Sequence, residues 1–195
     1  MKSTRSYSMS SRADNVAATR ERIITSAVEL LMQRRFDDVT LAEIAQLAAV
    51  SHQTVLNHFE SKEGVALAAA EVIAAATDAA RGVPPDDDPA AVIRLLVNDY
   101  ERMGDINVQW VMDADRLGSL SSFLDRARRS HTEWLETAFA ADLPDDPKAR
   151  RIVLMAVYAA TDVYTWKLLR RDFGFSKAAT ERIILHLVLG ALRPQ

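Results

Sequence analysis

The chain contains no cysteine. That excludes disulfides, thiolate metal sites and thiol redox sensing, and it agrees with a reducing compartment; the expected location is cytoplasmic. Helix breakers are also scarce, with six glycines and six prolines in 195 residues, so an all-α fold is expected. No stretch approaches the roughly 18 consecutive apolar residues of a membrane span, and the polar start, Met1 to Tyr7, has no apolar signal core. Neither secretion nor a membrane partner is therefore expected. There is no Gly-rich phosphate loop and no nucleophile elbow. The four histidines, His52, His58, His131 and His186, are dispersed without a helical metal-binding spacing. The pair Glu133 and Glu136 is an ordinary helix-surface feature, and His131-Thr132-Glu133, the nearest thing to a site, is not expected to be catalytic. The expectation is a protein that is not an enzyme, with no cofactor, no metal and no catalytic residue.

A basic excess is missing as well, because the formal net charge is −3. Total charge says little when one face of one domain touches a polyanion, and the distribution is uneven. Lys2, Arg5, Arg12 and Arg20 face a single acid, Asp14, in the first twenty residues, whereas acids cluster at Asp86-Asp87-Asp88 and from Asp142 to Asp146. What the chain does have is 49% hydrophobic and 26% charged residues, enough for a real core in a folded chain of this length.

The apolar pattern divides the sequence. Residues 1–17 are Ser-rich and aperiodic and are expected to form a flexible tail. From Thr19, the residues Ile23, Ile24, Ala27, Leu30 and Leu31 recur at helical steps, predicting a helix to Gln33 or Arg34. Thr40-Leu41-Ala42-Glu43 is a capping box that opens a second, short helix. Ser51 caps a third over His52 to His58, and Ser61 opens a fourth that extends to Arg81. Gly82 to Asp88 is the clearest loop. Asp88-Pro89, Asp146-Pro147 and Ser176 are further helix starts, and the remaining helices are expected at 90–103, 106–115, 120–141, 147–171 and 177–193.

Two short helices joined by a tight turn serve most notably to lay the second helix in the DNA major groove, braced by the first. Ile44, Ala45, Ala48, Val50 and Val55 have the spacing to pack such a pair, over a helix-turn-helix from Thr40 to Phe59. The opposite face of the second helix then carries Ser51, His52, Gln53, Thr54, Asn57 and His58. Gln and Asn pair bidentately with adenine, His donates to guanine, and Thr binds phosphate or meets a thymine methyl.

Phe36-Asp37-Asp38-Val39-Thr40-Leu41, Ile44-Ala45, Ala48-Ala49-Val50-Ser51, Thr54, His58-Phe59 and Ser61-Lys62-Glu63 resemble the TetR family of bacterial transcriptional regulators. The resemblance implies a three-helix DNA-binding domain over 18–63 and a larger helical ligand-binding and dimerisation domain over 64–195. It implies phosphate contacts from Thr40, Thr54, His58 and Lys62, and base contacts from His52, Gln53 and Asn57. Three positions depart from the family. Arg35 and Ala49 stand where it often has Gly, forfeiting an easy left-handed conformation. Leu56 stands where it commonly has Tyr, removing a phosphate-directed hydroxyl. Arg5 and Arg12 lie in a stretch that is either a plain tail or an arm into the minor groove.

Ile152, Met155, Ala156, Ala159, Val163 and Trp166, with Ile183, Ile184, Leu187 and Val188, form a stripe wider than one small domain can cover, so a partner is expected. The resemblance makes that partner a second copy, giving a homodimer on palindromic double-stranded DNA. Tyr100, Met103, Trp110, Met112, Phe123, Trp134 and Tyr158, and with them Tyr164, are either plain core or the lining of a site for an unidentified small-molecule effector that the resemblance implies. Asp99, Asp105, Asp113 and Asp115 are either solvated acids or a greeting for a cationic effector. Two functions follow: a ligand-released repressor, or a helical binding module that keeps the architecture without operator binding, a reading that Leu56 sustains.

Overall fold

The computed structural model describes residues 9–82, 88–114, 118 and 121–193, and every regular element among them is helical. The chain divides into two compact units, Met1–Ile73 and Ala74–Gln195.

The first unit is built on α1 (Met9–Leu31), α2 (Leu41–Leu47), α3 (His52–Phe59) and the first part of α4 (Lys62–Arg81). α1 starts ten residues before Thr19, so residues 9–17 are helical rather than tail, while residues 1–8, including Arg5, lie outside the described residues. Extension needs no apolar face, because adding a turn to an existing helix gains a hydrogen bond per residue fixed. The α1 stripe is buried as its spacing predicts, with Ile23, Ile24, Ala27 and Leu31 meeting a core that includes Phe36, Val39, Ile44, Ala45, Val55 and Phe59.

In the second unit the rest of α4 is followed by α5 (Pro89–Ala114), α6 (Ser121–Ala138), α7 (Pro147–Thr161), α8 (Val163–Lys167), a π-helical turn (Leu168–Asp172) and α9 (Lys177–Leu192). The expected break between 103 and 106 does not occur: α5 runs through Gly104. The reason is tertiary, since a Cβ on Gly104 would come within 2.4 Å of the Trp166 ring, and the glycine admits that indole to the core. Conversely, the expected single helix over 147–171 is interrupted at Asp162, whose carboxylate turns to accept from Tyr164 N at 2.9 Å and so starts α8. Leu96, Val97, Tyr100, Leu135, Phe139, Leu154, Val157, Trp166, Ile184 and Val188 form the core of this unit. The run Pro147–Asp172 is long and apolar enough to cross a membrane by length and composition alone. Its inner face, Leu154, Val157, Val163, Trp166 and Leu169, is packed in this core.

Candidate nucleic-acid interface

The turn between α2 and α3 is fixed by backbone bonds at one end and by caps at the other. Thr40 Oγ1 accepts from Glu43 N at 3.2 Å while Glu43 Oε2 accepts from Thr40 N at 2.8 Å, completing the capping box. Arg34 donates to Glu43 Oε1 at 2.7 Å. With the Thr40 donors, that guanidinium holds the Glu43 carboxyl down to about 2. At the far end of α2, Val50 N bonds Ala45 O at 3.0 Å and Ala49 N bonds Gln46 O at 3.2 Å. This is the Schellman arrangement, and it places Ala49 in the left-handed region with φ of 53°. The expectation for Ala49 holds. That for Arg35 does not: its φ is −64° and ψ 152°, extended backbone that any residue adopts.

Ser51 Oγ then accepts from Thr54 N at 3.0 Å and starts α3. Val55 and Phe59 point into the core, while Ser51, His52, Gln53 and Asn57 are exposed and Thr54, Leu56 and His58 are half-buried. The polar residues expected on α3 thus reach the surface, Thr54 and His58 in part. They differ in availability. Ser51 Oγ and Thr54 Oγ1 are bonded to each other at 2.8 Å, and the Thr40 hydroxyl donates to Glu43 Oε2 at 2.8 Å. Gln53 Nε2 donates to Asn57 Oδ1 at 2.9 Å.

α3 joins α4 through a tight turn. Glu60 has φ of 64° and ψ of −38°, and Ser61 N bonds Phe59 O at 2.6 Å across it, a γ-turn of the strained hand. Ser61 Oγ accepts from Gly64 N at 3.1 Å. Only glycine fits at 64, because a Cβ would lie 2.2 Å from Phe59 O. Lys62 lies beside this turn. Its ammonium sits 4.2 Å from the centre of the Phe36 ring and donates to Asp37 O at 3.4 Å, a cation–π contact that also fixes the start of α4. Arg20 stacks over Phe59 at 5.0 Å, a neighbour of the site that the sequence pattern did not single out.

The residues expected around an effector separate by exposure. Tyr100 and Met103 are buried, Trp110, Phe123, Trp134 and Tyr158 are half-buried, and Met112 is 60% exposed, so it is not lining an enclosed site. Trp110 and Phe123 meet with ring centres 6.1 Å apart. The polar groups among these residues form a connected chain that the sequence reading missed. Arg81 donates to Asp99 Oδ2 at 2.8 Å and lies 3.3 Å from His131 Nδ1. His131 Nε2 in turn lies 3.3 Å from the Thr161 hydroxyl, which donates to Val157 O at 2.8 Å, and Tyr100 donates to Thr161 O at 3.0 Å. An arginine hydrogen bond to Nδ1 requires that nitrogen unprotonated, leaving Nε2 as the donor to Thr161. Burial first, and the Arg81 charge second, push the His131 imidazole down to about 3, and burial pushes the Tyr100 hydroxyl up. The sequence signal was present. Asp99 falls on the stripe of Leu96, Tyr100 and Met103, and His131 on that of Leu124 and Leu135, and a polar residue on an apolar stripe needs a partner.

Asp99 and Asp105 are therefore ion-pair partners rather than a greeting for a cation. Asp99 takes Arg81 and Arg102, and Asp105 takes Arg171 at 2.8 Å. Asp113 accepts from Gln109 at 3.2 Å, and Asp115 lies outside the described residues. The stripe expected to be a partner face also divides. Val163, Trp166, Ile184 and Val188 are buried in the core of their own unit and have no surface to offer. Ile152, Met155, Ala156, Ala159 and Leu187 are exposed, Ile152 at 71%, and Ile183 is half-buried. Tyr164 is exposed too, not part of a ligand lining.

Residues 23–69 match the family described as bacterial regulatory proteins, tetR family. The fold matches the solved structure of a tetR-family transcriptional regulator from Streptomyces coelicolor, with a TM-score of 0.72 and 18% identity over 89% of this chain and 79% of that one. It also matches a transcriptional regulator from Rhodococcus sp. Rha1, with a TM-score of 0.71 and 15% identity over 89% of this chain and 95% of that one. A third match is the multidrug binding protein EbrR complexed with imidazole, with a TM-score of 0.60 and 18% identity over 86% and 88% of the two chains. No curated protein matches the chain. By this match, residues 23–69 carry the helix-turn-helix segment of the family of bacterial regulatory proteins named for TetR, and the chain has the all-helical fold of solved regulators described as tetR-family.

Proposed function

We propose that the chain is a ligand-responsive transcriptional repressor that binds a palindromic operator as a homodimer and is released by a small molecule. The observation that carries the reading is the outward face of α3, where His52, Gln53 and Asn57 are exposed on a helix whose other face is locked into the core by Val55 and Phe59. A helix held rigidly with short hydrogen-bonding side chains outward is what base-edge recognition in a major groove needs. Thr40, Thr54, His58 and Lys62 flank that row as phosphate ligands, with Ser51 at its start. The Thr40, Ser51 and Thr54 hydroxyls retain acceptor capacity, though phosphate asks for donors, so the Ser51 to Thr54 and Thr40 to Glu43 bonds must re-form around the DNA.

The exposed apolar residues of α7 and α9, Ile152, Met155, Ala159 and Leu187, support the homodimer. The aromatic and polar groups between α5, α6 and α7 support an effector site, and EbrR, a multidrug binding protein of the same fold, supports it further. The test is selection of bound duplexes from a random pool, followed by a salt titration on the selected sequence. A regulator enriches an inverted repeat, with affinity falling steeply as salt rises. Selected duplexes that bind no better than random ones at low salt would leave the module without operator binding as the function.

A further inference from the structure

The bond from Gln53 Nε2 to Asn57 Oδ1, 2.9 Å long, joins two exposed amides one helical turn apart on the outward face of α3. An exposed glutamine by itself samples many rotamers, and reading a base requires one of them to be held. The nearest hydroxyls do not compete for either amide, because Ser51 and Thr54 are bonded to each other and Ser51 also caps Thr54 N. The donor count is then informative. Gln53 has two amide hydrogens, and giving one to Asn57 leaves one hydrogen beside Oε1. A neighbouring donor and acceptor complement adenine, whose major-groove edge places the N7 acceptor beside the N6 donor. Guanine offers two acceptors, and cytosine offers a donor alone. Asn57, with Oδ1 committed to Gln53, has its Nδ2 hydrogens left.

We propose that Gln53 and Asn57 act as one reading unit, in which Gln53 pairs bidentately with the adenine of an A·T pair and Asn57 is the positioning residue that holds the Gln53 amide for it. This rests on the DNA-binding reading above. The test is selection from a random duplex pool with the full chain and four variants, with the helix content of each checked by circular dichroism.

The wild type enriches one adenine per half-site, about tenfold over other bases. Gln53→Ala loses that preference. Gln53→Glu, which offers only acceptors, moves it to cytosine. Asn57→Ala loses most of it, whereas Asn57→Asp, which keeps an oxygen for Gln53 Nε2, retains adenine while binding every duplex more weakly through its added negative charge. Unchanged adenine preference in Gln53→Ala overturns the base assignment. Unchanged preference in Asn57→Ala, or equal loss in Asn57→Ala and Asn57→Asp, overturns the positioning role. A wild type that enriches no motif overturns the operator reading itself and this inference with it, and that outcome is visible before any variant is made.

Discussion

Two residues around the helix-turn-helix show what a single Cβ costs, one where it is present and one where it is missing. Ala49 ends α2 at φ of 53° within a Schellman motif, where an alanine Cβ costs about 1 kcal/mol relative to glycine, partly offset by the greater freedom of glycine in the unfolded chain. Ala49→Gly should therefore raise stability by about 0.5 kcal/mol. Urea unfolding followed by circular dichroism would register this as a higher midpoint with unchanged slope, and a lower midpoint would contradict it. Gly64 is the opposite case. Its missing Cβ leaves room for the Phe59 carbonyl, and an atom at 2.2 Å from a backbone oxygen cannot be relieved by rotating a side chain. Gly64→Ala should cost about 2 kcal/mol or more, by overpacking at the joint of α3 and α4. Because the same joint sets the end of α3, the variant should also bind DNA less well at temperatures where it remains folded.

At the scale of elements, the second unit is tied by polar bonds as well as by its apolar core. Arg81 at the end of α4 reaches Asp99 on α5 and His131 on α6, and His131 reaches Thr161 at the end of α7. His131 is held neutral by burial, to about 3, whereas an unfolded histidine titrates near 6.5. The unfolded chain therefore takes up a proton first as pH falls. The contribution of His131 to stability is full above about 6.5 and is lost progressively from there towards 3. The wild type should lose stability between pH 6.5 and 5, and His131→Gln, which cannot titrate, should lose less over the same interval, starting from a lower value at pH 7. Parallel curves of unfolding midpoint against pH for the two proteins would remove His131 from this role. The Glu43 carboxyl in the first unit adds acid sensitivity of its own lower down: its pKa is depressed from 4.5 to about 2, so the support it gives the capping box is lost as pH falls through that range.

For the whole molecule, the distinction within the apolar stripe makes the homodimer testable. Ile152 is exposed on α7, and Trp166 is fully buried on α8. If α7 and α9 form the face between copies, Ile152→Glu should leave the fold intact, convert the dimer to monomer in sedimentation at micromolar concentration, and weaken binding to an inverted repeat far more than to a half-site. Trp166→Ala should instead lower stability, by about 3–5 kcal/mol, because it empties a buried volume against Gly104 and Tyr100. Ile152→Glu that remains dimeric would place the face between copies elsewhere.

How much of this was legible in the sequence follows from the range of the interactions. The capping box of Thr40 and Glu43, the Ser51 cap, the Asp146 and Ser176 caps and the polar face of α3 join residues within about one helical turn, and such patterns are written in the chain order itself. The sequence by itself determined the all-helical class, the helix-turn-helix from Thr40 to Phe59 and the identity of the side chains it presents. Only the tertiary structure decided which apolar residues on the last helices are core and which are free, that α5 passes through Gly104, that Lys62 lies on Phe36, and that Asp99 and His131 are partners of Arg81. Each of those depends on a group brought from far along the chain, Arg81 and His131 being fifty positions apart, and helical periodicity names a face without naming what covers it.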